Sequence, residues 1–574
     1  MSESSPERRR RLGSQEQPSL FLKVQSGSEY SILPVLVSSR CQVALLLLLL
    51  VKCSNSIRLK MMLIFFLFHF ICSARASPAL RQKHISIRGY PADLQRAVAA
   101  AIASGVPSYT VAPGLYNFSS LPANASVTLD ILSATNFTLL SGGEVEFVFP
   151  PAGGIRVVNG SQVALAGPFI LDAWPPFTTQ GVISKGVRDG QWFNFTLSLE
   201  EGYDFDERFL PSRAIFFDPV TRRFLPNQVL AVTSARSARH LSGTSWAVSV
   251  SFSANPTLSI PDGALCALTP TSDGPVVLIE NSTAVSVTDL TSHAASEFTL
   301  LELGGEGGHT YTRFNVVRRA GSTRLMVSGA DVLHSTSVAV GPTLRNSELS
   351  FASDDLFAVH CELAILWKRV SATSFFVIDT SGGFYGFPQA QPGDSLSFYN
   401  MSEYMERVGE ATLAPSGLSR VTNATLIAEA QKAADHIRDV LKLKIRNFSV
   451  NLLLMELSSP GLLKLGDYSA LIELPSRCGA GTSIRNSYLH DTNGGMRLKG
   501  SRAIVDGVVL EKSYGMRMLP EFFWTQSVSS NITLTNNVLR DCGCTALAPH
   551  AIEYNEDIVG LVLHNNTVYP AHCM

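Results

Sequence analysis

Gly495-Met496-Arg497-Leu498 recurs as Gly515-Met516-Arg517-Met518, and Ser483-Ile484-Arg485-Asn486 aligns more loosely with Ala503-Ile504-Val505-Asp506, both at a step of 20 residues. A step of that length suits one coil of three short strands, each coil burying its apolar side against the next. The stretch from Asn531 to Leu539 adds a further coil. Upstream, the same short β-rich runs separated by Asn, Gly, Asp and Ser appear at Asn136 to Leu140, Glu144 to Phe149 and Ser161 to Leu165. Before them, Leu94, Val98, Ala101 and Ile102 fall at helical spacing between Pro91 and Ser104, and Gly105 closes the run. Such a helix protects the open end of a strand stack.

Two regions break the rhythm, residues 181–272 and 362–475. Each is too long for a structureless loop and carries its own strand signals, Arg213 to Pro219 in one and Gly393 to Tyr399 in the other. In the second, Ala424 to Leu443 favours helix. The chain therefore divides into a cap and first coils (77–180), an inserted β subdomain (181–272), central coils (273–361), a second insert (362–475) and C-terminal coils (476–574). The expected fold is all-β: a right-handed parallel β-helix with an N-terminal helical cap and two small inserted β subdomains. No C-terminal cap is evident before Met574, which predicts a truncated stack.

The 574 residues are 45% hydrophobic and 16% charged with a net charge of -1, which supplies a core and gives no electrostatic footprint for nucleic acid. Residues 1–60 read as a basic and apolar extension outside the mature protein. The apolar runs Val43 to Val51 and Met61 to Ile71 fall short of the roughly 18 to 20 residues of a spanning helix, so no stable membrane span is expected. Arg58 and Lys60 before the second run and Ala74-Arg75-Ala76 after it give residues 61–76 the order of a secretory signal cleaved before Ser77; an uncleaved signal anchor is the alternative. Export to the cell exterior or an endomembrane lumen is supported by acceptor sites for N-glycosylation at Asn117, Asn124, Asn136, Asn159, Asn194, Asn281, Asn400, Asn423, Asn447, Asn531 and Asn565, against roughly four expected by chance. Beyond the signal, Cys266, Cys361, Cys478, Cys542, Cys544 and Cys573 permit fifteen disulfide pairings, with buried free thiols as the other reading.

The densest chemistry lies between Gly304 and His360: the runs GEGGHTY, ADVLHS, GPT and SDDLFAVH. Asp331 and Asp354 are 23 residues apart, about one coil, which stacks them on neighbouring coils with Asp355 alongside. Crowded carboxylates raise one another's pKa, and such a set suits glycosidic hydrolysis, where one protonated carboxyl serves the leaving oxygen and an ionised partner activates water. An inverting outcome is expected if acid and base stand about 6.5 to 9.5 Å apart. Arg497 and Lys499, two apart on a strand, share one face and are candidates to bind an acidic sugar or hydroxyls. Glu306, His309, His334 and His360 are further substrate-binding candidates, and Trp524 beside Phe522 and Phe523 is a possible stacking surface. The three His and three acids match no standard zinc arrangement, and no cofactor or metal site is predicted.

These runs, with the late segments GAGTSIRNSYLHD, GMRLKGS and MLPEFFW, resemble the β-helix family related to α-1,3-galactosidases of the blood-group B-cleaving kind, and more distantly polygalacturonases, over most of residues 85–570. The resemblance implies a pectin-lyase-like fold and an inverting acid/base set formed by Asp331, Asp354 and Asp355, with Glu306 as a fourth acid. Asp331 would be the general acid and the pair would activate water, or the roles would be exchanged. The chain departs from the family where Val332 replaces a Gly after the first Asp and Cys361 replaces a Gly after the His. The primary expectation is thus a glycoside hydrolase acting on an oligo- or polysaccharide that contains galactose or uronic acid. Val332 and Cys361 argue for a rival class, a non-catalytic glycan-binding or cell-surface structural β-helix. A calcium-dependent polysaccharide lyase is the third reading, with the Asp cluster supplying oxygen ligands.

Overall fold

The computed structural model describes residues 20–26, 29–35, 88–122, 126–206, 209–210, 212–225, 233–252, 260–270, 274–361, 363–379, 390–400, 407–440, 450–459, 470–518, 529–543, 551–554 and 558–570. The chain forms two units, Met1–His84 and Ile85–Met574. In the first, the described backbone is an antiparallel hairpin of Leu20–Ser26 and Glu29–Val35. The expected leader and both apolar runs lie outside the described residues, as do Trp524, Phe522, Phe523, Cys544 and Cys573. Among the described residues no helix is long and apolar enough to cross a membrane.

The second unit is a parallel β-helix. Its first sheet stacks nine strands: Thr128–Leu132, Gly154–Val158, Val277–Glu280, Leu300–Leu303, Leu333–Thr336, Phe357–His360, Met496–Leu498, Met516–Met518 and Ile552–Tyr554. Two further parallel ladders run beside it, and the long strands Ala164–Ala173, Ser286–Ser292 and Thr310–Val316 bend from one ladder into the other. Strand register explains the repeat. Met496 pairs with Met516 and Leu333 with Phe357, so each inward position stacks like on like, and Ile155, Val277, Leu300, Leu333, Phe357, Met496 and Met516 form one buried column.

Helix α1 (Pro91–Ala103) starts on a proline at its first turn and buries Pro91, Leu94, Val98 and Ala101, a stripe of helical period. It packs against Thr128–Leu132, the terminal strand of the first sheet, with Gln95 Nε2 donating to the Ser126 carbonyl at 2.9 Å. Burying Leu94 and Val98 contributes about 1.5–3 kcal/mol each. Gly105 supplies the left-handed residue that ends the helix (φ +71).

Asparagine at the coil corners has a backbone cause. Asn136, Asn159, Asn281, Asn531 and Asn565 all have φ between 46 and 54, a region that Asn tolerates better than most residues. Adjacent corners also bond to each other, as Asn281 does to Asn159 at 2.7 Å. Five of the eleven acceptor asparagines therefore have a structural reason to be there, independent of glycosylation.

Both inserts are closed six-stranded antiparallel barrels. The first runs from Thr179–Asp189 to Leu265–Thr269 and the second from Ala364–Arg369 to Ala470–Glu473. Numbering the strands of each barrel in chain order, both have the neighbour order 1-2-5-4-3-6. They differ between strands 4 and 5, where the second barrel carries helix α2 (Ala424–Val440), capped by Asn423 Oδ1 accepting from Thr425 N–H at 3.0 Å. Each barrel has its own apolar core.

Candidate active site

The three acids lie where chain enters the first sheet. Leu333 pairs with Phe357, and Phe357 pairs with Met496 across the second insert. This register sets Asp355, not Asp354, level with Asp331, and Asp355 N–H donates to Asp331 Oδ1 at 3.2 Å. Asp331, Asp354 and Asp355 each bring a carboxylate oxygen within 4.8 Å of the others. The floor beneath them is Asn493-Gly494-Gly495. Gly495 N–H donates to Asp355 Oδ1 at 2.9 Å, and a Cβ on Gly494 would come within 2.4 Å of that same oxygen, so the close approach requires glycine.

Each acid has a cationic or imidazole partner. His334 Nδ1 is 2.6 Å from Asp331 Oδ2, and Arg497 Nε is 2.6 Å from Asp355 Oδ2. The third partner comes from the first barrel: Arg213, on its third strand Ser212–Phe217, places Nη2 2.6 Å from Asp354 Oδ2 and donates from Nη1 to the Ser353 carbonyl at 3.1 Å. Nothing local in the sequence marks Arg213, which arrives from 141 residues upstream.

The environments of the pair diverge. Burial disfavours the charge on Asp354, but Arg213 and Arg497 outweigh it and hold that carboxyl below the ordinary range. For Asp355, burial together with the charges of Asp354 and Asp331 pushes the carboxyl well above the ordinary range despite Arg497. Asp355 is 4% exposed at its side chain and Asp354 30%, so the ionised member is also the one that faces the groove.

His334 Nε2 meets His360 Nε2 at 2.9 Å, and His360 Nδ1 lies 3.1 Å from the Cys361 carbonyl, which only accepts. These partners assign the His360 proton to Nδ1, leave its Nε2 as acceptor, and put the proton between the rings on His334 Nε2. Burial, then the charges of His334 and Lys499, keep His360 neutral by lowering its pKa well below the usual value. Asp331, His334 and His360 thus form one hydrogen-bonded chain behind the acid pair.

The remaining candidates are dispersed. Glu306 follows the C-terminal end of strand Leu300–Leu303, whereas the acids precede their strands; it pairs with Arg477 at 2.9 Å and is no part of the cluster. His309 is 1% exposed, and its Nδ1 accepts from Val285 N–H at 3.0 Å, a coil-packing role rather than a substrate contact. Arg497 faces outward between inward Met496 and Leu498, whereas Lys499 is fully buried near His360. Arg517 continues the outward ladder and pairs with Glu553 at 2.8 Å.

Both departures from the family pattern have structural explanations. Val332 has no left-handed backbone to accommodate, and its side chain belongs to the main core instead of crowding the acids. Cys361 is disulfide-bonded to Cys478, joining the two ends of the second insert across 117 residues of sequence. Cys266 and Cys542 are the free buried thiols. Neither residue disrupts the acid cluster. The three carboxylates lie close enough to hold a cation, but Arg213, Arg497 and His334 already engage one oxygen of each. A calcium ion, which takes 6–8 oxygen ligands, fits that charge balance poorly.

No protein-family model matches the chain, and no curated protein does. Among solved structures, the catalytic unit of a GH87 α-1,3-glucanase from Streptomyces thermodiastaticus aligns at 10% identity and TM-score 0.33, over 84% of this chain and 54% of that unit. The A-module of the mannuronan C-5 epimerase AlgE4 from Azotobacter vinelandii aligns at 8% and 0.20, over 84% and 94%. Tailspike protein 3 of bacteriophage CBA120 aligns at 10% and 0.15, over 84% and 61%. The chain spans about half of the glucanase unit, and its assignment as a parallel β-helix rests on its own strand register.

Proposed function

We propose that this chain is a glycoside hydrolase that cleaves a galactose-containing glycan at the Asp331, Asp354 and Asp355 cluster. The observation that carries the reading is the opposed environment of adjacent acids: Asp355 is buried beside two other carboxylates, which raises its pKa, while an arginine from the first barrel pairs with the more exposed Asp354 and lowers its pKa. Two titratable groups pushed apart in this way are what acid/base division of labour requires. Asp355 is then the general acid and Asp354 the base or nucleophile, with Asp331 positioning both through His334 and the Asp355 amide. This divides acid and base within the pair and leaves Asp331 a positioning role, whereas the sequence suggests Asp331 as the acid or, with roles exchanged, as the partner of an acidic pair.

The cations that would recognise a uronate are committed, Arg497 to Asp355 and Lys499 to a buried site beside His360, which favours neutral galactose as the resemblance also implies. One oxygen of each acid lies within 4.8 Å of the others, closer than the wide gap on which the expectation of inversion rested. The first anomer released, read by proton NMR, decides between that spacing and the inversion the family implies. The founding test is release of reducing ends from a glycan panel. Asp355→Asn is expected to lower the rate about 10²–10⁴-fold, as loss of a general acid does; hydrolysis that survives the substitution would refute the assignment.

A further inference from the structure

A cavity of about 230 Å³ opens where the strand Ala164–Ala173 ends beside the first barrel, lined by Trp174, Pro176, Thr178, Tyr203, Asp204 and Phe209 among others. Drug-sized ligands occupy about 300–1,000 Å³, so this volume suits a single ring. Trp174 is 57% exposed, an unusual cost for so large an aromatic surface, while Thr178 is buried and its Oγ1 has no hydrogen-bond partner. Tyr203 is fixed beside the Arg324 guanidinium, and the Asp204 carboxylate is exposed at the rim. An indole face, a buried hydroxyl without a partner and a nearby carboxylate match a pyranose, whose ring face is C–H and whose edge is hydroxyl.

The cavity lies along the same side of the coils as the acids. Trp174 closes the strand Ala164–Ala173, which pairs with Ser286–Ser292. Beyond that pairing Ala295 bridges Ser328, which bridges Ala352, just before Asp354 and Asp355. Along the coil axis, two coils separate Trp174 from the coil of Asp331 and three from that of Asp355, about 10–14 Å at 4.8 Å per coil. The first barrel reaches both places: Phe209 lines the cavity and Arg213 touches Asp354. One barrel segment therefore walls both places.

We infer that this cavity is a second sugar-binding subsite, with Trp174 as its stacking platform, and that the substrate is an oligosaccharide extending from the acids toward the N-terminal coils. The inference rests on the proposed glycan-cleaving role, and its test uses binding rather than turnover. Calorimetry would compare the full chain carrying Asp355→Asn, alone and with Trp174→Ala or Trp174→Phe, against galactose- and glucose-containing oligosaccharides from disaccharides upward. Melting temperatures would confirm that each variant is folded.

The expected result is affinity that grows with chain length, with Trp174→Ala weakening the longer ligands about tenfold while disaccharide affinity stays unchanged and Trp174→Phe retains most of the gain. Unchanged binding of longer ligands by Trp174→Ala, or no binding of any ligand, would overturn the subsite. Binding that depends on Trp174 without hydrolysis by the parent chain would instead overturn the proposed reaction and leave the cavity as a sugar site.

Discussion

The two inserted barrels share a strand order and differ in how they meet the coils. The first reaches outward with arginines: Arg213 onto Asp354, and Arg223 onto Asp491 and Glu511, each at 2.7 Å. The second is joined at its ends by the Cys361–Cys478 disulfide. The same closed module, inserted twice, thus brings an arginine onto the acid cluster in one place and is closed at its base by a disulfide in the other. What distinguishes them is the side chains on the face that meets the stack, not the topology.

Breaking the first barrel's dock is expected to have the largest effect. Arg223→Ala leaves the fully buried Asp491 carboxylate without its guanidinium, and removing one partner of a buried pair costs about 3–5 kcal/mol; chemical denaturation would measure it. Next, Cys361→Ser should cost about 2–5 kcal/mol, since the bridge closes a long loop, while activity per folded molecule stays at the parental level. Loss of activity without loss of stability would erase the contrast between the barrels.

A control in the stack itself separates its own pH response from the barrels'. Glu302 points into the core, where Tyr311 donates to it and burial pushes its pKa to about 7. Its folded pKa lies above the unfolded one, so the neutral form stabilises the fold fully below the unfolded carboxylate range. That contribution is lost as pH rises from about 4.5 through about 7. Glu302→Gln should therefore flatten stability across that window and raise it above neutrality by about 1–3 kcal/mol, read as melting temperature against pH. The smallest free-energy effect is Arg213→Ala, about tenfold in kcat/KM with under about 1 kcal/mol of stability, since the pair is partly exposed. Its signature is the acidic limb of the pH–rate profile, which should move upward as Asp354 loses the charge that keeps it ionised.

The repeat and the acid pair were legible because both are local. Stacked inward columns demand like residues at Met496 and Met516, and the pair sits in one turn of chain. Arg213 was not, because an arginine on a strand of an insert carries no mark of where that barrel will dock. Glu306 and His309 were misplaced since their run turns a corner between ladders: one residue ends up beyond the sheet and the other inside the coil. Cys361 read as a damaged motif position, and only the fold brings Cys478 to it. Asparagines read as glycosylation sites include five that the left-handed corners themselves call for.

The central claim is that Asp355 titrates well above the ordinary carboxylate range while its neighbour Asp354 titrates below it. Carbon NMR of the chain labelled at aspartate carboxyls measures this without a substrate. One signal should titrate well above the ordinary aspartate range and disappear in Asp355→Asn, while the signal lost in Asp354→Asn should titrate below that range. Finding that both carboxyls of the pair titrate within or below the ordinary aspartate range would contradict the account.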